Sequence, residues 1–472
     1  MNSKQVLDIF KTITTIPRES GHEEPITKWL LDWAASKGLD AKRDETGNVL
    51  IVRKAAKGKE SIPTIVLQAH QDMVCEKNAG VTHDFRKDPI NYVVEDGWMI
   101  AKDTTLGADD GIGIAAALAL LEDKTPTGCI ECLFTISEET GMDGAEALKP
   151  GFFNGKTLVN LDSEDEGQLF IGCAGGLNTN IRFRYDTERV EHPCLKLCIS
   201  GGIGGHSGDD INKERANAVQ LMVRFLYGEF ARGLQLVNIC GGGKPNAIAR
   251  ECEAIVAIEN GKAMSRRFAA YAKAVKAEYH TSDPGLVFSC VPVRRSVKAV
   301  SSDIAEIVVR SMFTCPHGVQ AMSQDIPGLV ETSTNLASVN MKRRGVIEIV
   351  TSQRSSVTSE RRMIAAKVRA NFEAAGAIVR HLYEYPGWTP DVNSHILKVC
   401  VDSYRKLFKE EPEVKAIHAG LECGLFLTKF PGLDMISFGP TLRGVHAPGE
   451  RMELSSLDRF VELLEDVVVN FK

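Results

Sequence analysis

The chain has 472 residues, of which 43% are hydrophobic and 25% charged, with a formal net charge of −6. This is the composition of an ordinary globular protein, longer than a single hydrophobic core usually supports, so two domains are expected. The negative balance and the lack of a basic block argue against nucleic acid as a partner. The longest apolar stretch, Ile112 to Leu121, is too short to span a bilayer, so no membrane partner is expected either. Met1 to Ser20 lacks the apolar core of a signal peptide, and twelve Cys without one suggest reduced thiols; a cytoplasmic location is therefore expected.

The first part of the chain alternates helix and strand. Pro25 sits near the start of a predicted helix whose Ile26, Leu30 and Trp33 share a face, and Gly38 ends it. Val49 to Val52 and Thr64 to Leu67 read as strands, and Glu76 to Asp103 as a polar, turn-rich stretch. A helix begins near Asp110 and runs through Ala115 to Leu121, followed by strands at Cys129 to Ile136 and Leu158 to Leu161. The Cys129/Cys132 pair matches a CxxC spacing, but on a strand the two face opposite sides, so both read as structural thiols. The alternation predicts an α/β domain with a mostly parallel sheet covered on both faces.

From about Cys194 the pattern changes. The predicted order is strand (Leu195 to Ile199), Gly-rich loop (Gly201 to Gly208), helix (Ala216 to Tyr227), strands near Leu236 to Cys240 and Ala247 to Ile258, and helix (Arg267 to Ala277). A similar order then recurs, from a strand at Leu286 to Val291 to a strand at Ile378 to Leu382. This is a doubled α+β unit of ferredoxin-like pattern, repeated in element order and not in residue identity. The tail from Trp388 resumes the alternation, with a strand at Asp434 to Phe438. The expected organisation is a catalytic domain of residues 1–187 and 383–472, with residues 188–382 inserted as a lid.

Most of the chemically suggestive clusters lie at or soon after a strand end: His70-Gln71-Asp72, Glu138-Glu139, Asp162 and His446; Asp109-Asp110 opens a helix. Open α/β sheets bind ligands outside the carboxyl ends of their strands, and a cleft ringed there by two His and several carboxylates has few uses other than metal chemistry. His70 and Asp72 are two apart, so both point to one face, where His70 can ligate and Asp72 can orient its ring. A carboxylate at Asp109 can bridge two ions. Glu138 and Glu139 are adjacent and must diverge; the sensible division makes Glu139 a ligand and Glu138 the general base. Taken singly, each cluster has a plainer reading. An isolated HxD is usually a satisfied core His, Asp-Asp-Gly a helix cap, and Glu-Glu a solvated turn. Their joint occurrence favours the site.

The motifs His70 to Val74, Thr104 to Gly111, Glu138 to Gly144 and Asn160 to Glu164 resemble those of the zinc peptidase family that contains carnosine-type dipeptidases, tripeptidases and carboxypeptidase G. His83-Asp84-Phe85, Gly172 to Gly176, His418 to Gly424 and Gly444 to Pro448 are similar to its bacterial aminoacyl-histidine dipeptidase branch. The resemblance covers nearly the whole chain. Gln71 departs from the apolar residue usual there, and Asp110 stands where the branch often has Asn, which bears on substrate detail. The resemblance implies a cis peptide between Asp109 and Asp110. It implies one metal held by His70, Asp109 and Asp162 and a second by Asp109, Glu139 and His446. It also implies that His206 stabilises an oxyanion, that Asn246 and Arg354 contact substrate, and that the protein is a homodimer. Glu422 is a lesser candidate for the substrate amine, with helix-start packing the better reading.

Mixed His and carboxylate ligands suit zinc, with manganese or cobalt as alternatives, so the expected cofactor is two divalent metal ions. The expected function is metal-dependent hydrolysis of dipeptides, Xaa-His the leading class, by a metal-bound hydroxide with Glu138 as base and a small peptide as partner. The alternatives are a tripeptidase or N-acyl-amino-acid deacylase on the same scaffold, or a scaffold that has lost catalysis.

Overall fold

The computed structural model describes residues 1–294, 296–341 and 345–472. The chain forms two compact units. One comprises Met1–Cys173, Trp388–Ala416 and Leu421–Lys472; the other comprises Ala174–Gly387 and Ile417–Gly420.

The first unit is built on an eight-stranded sheet. Its central strands Ile130–Thr135, Ile65–His70, Thr157–Asn160 and Asp434–Ser437 lie parallel to one another, with antiparallel strands outside them. Those central strands are wholly or almost wholly buried, as expected where helices cover both faces. The helix Ala108–Glu122 is buried on every side from Ala108 to Leu121 and packs on the strand Ile65–His70 and the helix Ser3–Ile13. This accounts for its apolar character all round. The stretch Glu76 to Asp103, read as loop from its polarity, contains the hairpin Tyr92–Glu95 and Trp98–Ala101. That hairpin extends through Arg451–Glu453 and Leu442–Arg443 into a small four-stranded sheet. Among the described residues no helix is long and apolar enough to cross a membrane.

The second unit carries a nine-stranded antiparallel sheet. Alternate residues of its strands, such as Ile181, Phe183, Leu195, Leu197, Ile347 and Ile349, join Met222, Leu226, Phe268, Val308, Met312 and Phe372 from four helices in one core. The ferredoxin-like pattern is present twice, but interleaved. Cys194–Ser200, Gln235–Gly242, Cys252–Ala257 and Val287–Val293 form the first set, in the spatial order fourth, first, third, second. The second set is Gly175–Arg184, Val330–Asn340, Val346–Ser355 and Ile378–Tyr385, in the same order read from the other edge. Val287–Val293 therefore closes the first set, whereas the sequence reading made Leu286 to Val291 open the second. The true opening strand, Gly175–Arg184, precedes the whole first set, and consecutive reading along the chain has no means of finding such a separation.

Candidate metal centre and substrate-side cluster

The strand Ile65–His70 ends on His70, and Asp72 follows two residues later, both fully buried. His70 Nδ1 lies 3.3 Å from Asp72 Oδ1, while its Nε2 lies 2.9 Å from Asp109 Oδ1 and 3.4 Å from Asp162 Oδ1. The other oxygen of Asp109 is 3.1 Å from His446 Nε2, which is also 2.9 Å from Glu139 Oε2. Asp109 thus turns one carboxylate oxygen to each imidazole. Ligand atoms of His70, Asp109 and Glu139 lie within 4.8 Å of one another, as do those of His70, Asp110 and Asp162. Asp110, however, spends its oxygens on the backbone N–H of His70 at 3.3 Å and of Gly113 at 3.2 Å, so its carboxylate is a cap. The peptide bond between Asp109 and Asp110 is cis. The five expected ligands therefore converge. His446 is the most open of them, its side chain half exposed in the loop between Leu442–Arg443 and Arg451–Glu453.

Backbone cradles hold these groups. Asp72 accepts from the N–H of Glu138 at 3.0 Å, from that of Glu139 at 3.2 Å and from Ser20 Oγ at 2.8 Å. One carboxylate therefore fixes both the imidazole and the Glu pair. Glu450, four residues after His446 and 2% exposed, accepts from the N–H groups of Leu106 (2.7 Å), Gly107 (2.9 Å), Ala108 (2.8 Å) and Asp109 (3.4 Å). Leaving one such buried N–H unpaired would cost about 1–3 kcal/mol. Arg18, also 2% exposed, donates to the carbonyls of Gln71, Asp72 and Gly107, tying the His70 strand end to the Asp109 turn. Gly107 has φ +70°, and a Cβ there would stand 2.5 Å from Arg18 Nη2, so a side chain at this turn would be strained and would displace Arg18. Neither Arg18 nor Glu450 was found from sequence, since both act on backbone groups and leave no side-chain pattern. Gln71 has no part in this chemistry: it accepts from Thr27 Oγ1 at 2.7 Å and donates to the carbonyls of Gly47 and Phe134. Its departure from the usual apolar residue is absorbed by these polar partners.

Acidic groups exceed what His70, His446 and Arg18 can neutralise. Burial, with the charges of Asp109 and Asp110, pushes Asp162 well above the carboxylate range. Burial, aided by Glu422, Glu139 and Asp109, lifts Glu138 to about 8. Hydrogen bonds to Asp109 and Glu139 raise His446 to about 11. Burial favours a neutral Asp72, but His70, Ser20 and the Glu138 N–H overrule it and hold its carboxyl down at about 2. A donor set of two imidazoles and three convergent carboxylates, with surplus negative charge in a buried site, fits divalent cations. Glu422 opens the helix Glu422–Lys429; its Oε2 accepts from Gln68 at 2.6 Å and Thr135 at 2.9 Å, and it is 1% exposed.

The second unit has its own polar cluster. His206 lies in the Gly-rich loop, and its Nδ1 is 2.9 Å from Asp209 Oδ2. Its Nε2 is 3.3 Å from Arg354 Nη2, and Arg354 Nη1 donates to Tyr385 Oη at 3.1 Å. Arg354 lies within the strand Val346–Ser355, is 7% exposed and keeps its Nε without a partner. Asn246 is exposed; its carbonyl accepts from Ser207 N–H at 2.8 Å, which brings its loop beside His206. His418 is buried, with Nε2 2.7 Å from Ser333 Oγ, and burial together with Arg354 holds its imidazole down at about 3. Tyr385, Asp209 and Ser333 were not singled out from sequence, because each joins the cluster from a different element.

A sequence profile described as Peptidase family M20/M25/M40 matches residues 66–470. The chain is 37% identical over 474 aligned positions to the cytosol non-specific dipeptidase of Escherichia coli strain K12, covering 99% of this chain and 98% of that protein. The crystal structure of aminoacylhistidine dipeptidase from Vibrio alginolyticus superposes with a TM-score of 0.93 at 36% identity, covering 99% of this chain and 96% of that one. Aminopeptidase PepT of Bacillus cereus shares the fold, with a TM-score of 0.65 at 18% identity over 99% of this chain and 98% of that one. With the profile spanning most of its length and a relative aligned end to end, the chain belongs to peptidase family M20/M25/M40.

Proposed function

We propose that this chain hydrolyses dipeptides at a two-metal site formed by His70, Asp109, Asp162, Glu139 and His446. The observation that carries the reading is the pair of Asp109 oxygens, one facing His70 Nε2 at 2.9 Å and the other His446 Nε2 at 3.1 Å. Two divalent cations held there would supply an activated water nucleophile and an electrophilic anchor for the scissile carbonyl oxygen. Zinc suits the mixed nitrogen and oxygen donors best, with manganese or cobalt as alternatives.

The remaining steps belong to the chain. Asp72 orients His70 through Nδ1 and holds the backbone of the Glu pair. Glu138, its carboxyl raised to about 8 chiefly by burial, takes a proton from the attacking water and returns it to the leaving amine. His206 donates to the developing oxyanion, and Arg354, whose planar fork matches a carboxylate, reads the substrate C-terminus with Asn246 beside it. Support for the last assignment is the buried, incompletely paired Arg354 guanidinium. The names of the two full-length relatives support dipeptides as the class, and the Vibrio enzyme's name supports Xaa-His among them. A cytoplasmic location follows the Escherichia coli relative, and a homodimer follows the family resemblance.

The test is demetallation followed by reloading and a panel of Ala-His, Ala-Ala-Ala and N-acetyl-His. Hydrolysis should vanish on thorough chelation, return with about two divalent ions per chain, and be fastest on Ala-His. Full activity in the demetallated protein would overturn the reading, and a preference for the tripeptide or the N-acyl compound would replace the substrate class.

A further inference from the structure

We propose that Glu23 is a positioning residue for the general base, acting through the backbone of Ser137; the proposal rests on the reading of Glu138 above. Ser137 stands between the end of the strand Ile130–Thr135 and the Glu pair, in a left-handed conformation with φ +52°. A non-glycine residue takes that conformation at a cost, so something must hold it. Glu23 Oε1 accepts from Ser137 N–H at 3.1 Å and from Ser137 Oγ at 3.0 Å, and it also accepts from Gly21 N–H at 2.9 Å. Glu23 is 6% exposed and Ser137 likewise 6%, so both bonds are largely shielded from solvent while the Glu23 side chain is in place.

The arrangement is two-sided. Asp72 accepts from the N–H groups of Glu138 and Glu139, immediately after the Ser137 turn, while Glu23 accepts from Ser137 itself. Three successive backbone N–H groups thus end on two buried carboxylates. Asp72 alone fixes the direction of the Glu pair but leaves the preceding residue free to relax from its left-handed conformation. Such a relaxation rotates the peptide that carries the Glu138 side chain. The segment that supplies Glu23 also supplies Ser20, whose hydroxyl donates to Asp72 at 2.8 Å, and Glu19 bridges to Met73. Residues 19–23 are therefore a back plate for both carboxylate clamps. They lie before the stretch matched by the family profile.

Glu23 and Ser137 also line a surface cavity of about 500 Å³. A shortened side chain at position 23 leaves its space to solvent and not to a void in the core, so truncation should be compatible with folding.

The test compares Glu23→Ala, Glu23→Gln and Glu138→Gln by kcat, KM, bound metal and thermal midpoint. The Gln variant keeps an oxygen that can accept from Ser137, and the Ala variant does not. Glu23→Ala should lower kcat by about ten- to a hundredfold, the scale of a displaced catalytic group, with KM within about twofold and metal content unchanged. Glu23→Gln should recover most of that loss, which a role of the charge alone would not predict. If Glu23→Ala fails to fold, Ser137→Ala, which removes only the hydroxyl donor, carries the test and should lower kcat several-fold with metal retained. Wild-type kcat in Glu23→Ala, or a loss wholly accounted for by missing metal, overturns the proposal while Glu138→Gln remains inactive. An active Glu138→Gln overturns the underlying reading of the base instead.

Discussion

The two polar clusters of this molecule are built on opposite electrostatic plans. In the first unit carboxylates outnumber the groups that could neutralise them, and Asp162 and Glu138 are pushed towards their neutral forms. In the second unit a buried guanidinium is the central charge, Arg354, flanked by His206 and Tyr385 and only partly answered by Asp209. One surplus calls for cations and the other for an anion. In the proposed reading the first cluster activates water and the second grips a terminal carboxylate of the substrate. The supports differ as well. Asp72, Glu450 and Glu23 grip backbone N–H groups at strand and helix ends, whereas Arg354 sits inside an antiparallel strand and is held by side chains.

Four substitutions can break this contrast, and the largest effect is expected in the acidic cluster. Glu138→Gln should reduce kcat at least about a hundredfold with metal content near normal, while Glu139→Gln should lose metal first. Metal analysis beside steady-state rates checks this, and the opposite pattern would reverse the two roles. In the second unit, His206→Ala should lower kcat and kcat/KM together by roughly a hundredfold at unchanged metal content, the range for losing one oxyanion donor. An unchanged rate would remove His206 from the reaction. The smallest effect separates charge from geometry. Arg354→Lys keeps the charge and loses the fork, and should raise KM about tenfold on a free dipeptide. On the same dipeptide with an amidated C-terminus, the wild type should already show the raised KM, and the substitution should add little.

Legibility in the sequence followed from how each residue works. His70, Asp72, Asp109, Glu138 and Glu139 lie in short runs at the ends of strands or at the start of a helix, where residue type suggested metal chemistry, whereas Asp162 and His446 were assigned as ligands by the family resemblance. Arg18, Glu23 and Glu450 act on N–H and C=O groups that every residue possesses, and nothing in residue type marks their targets. A charged residue that must be buried gives one usable signal: Glu450 follows His446 by four positions inside a hairpin loop that already had to enter the site. The α/β alternation and the doubled ferredoxin-like pattern were legible because periodicity is local. The interleaving was not, since Gly175–Arg184 finds its partners, Val346–Ser355 and Ile378–Tyr385, only after an entire four-strand set has intervened. The hairpin Tyr92–Glu95 and Trp98–Ala101 was hidden by its polar surroundings, with both residues of Tyr92 and Val93 only partly buried and Val94 exposed.

The position of Asp434–Ser437 has a consequence for synthesis. This strand lies in the interior of the parallel sheet, beside Thr157–Asn160, although it comes from near the end of the chain. On a ribosome the sheet must wait, with one side of Thr157–Asn160 lacking its neighbour and its backbone groups open to other chains. The residues that gather around Asp109 run from His70 to His446, so the full set exists only once the chain has been translated past His446. In the proposed two-metal reading, capture of both ions is then closed to any fragment that stops before His446.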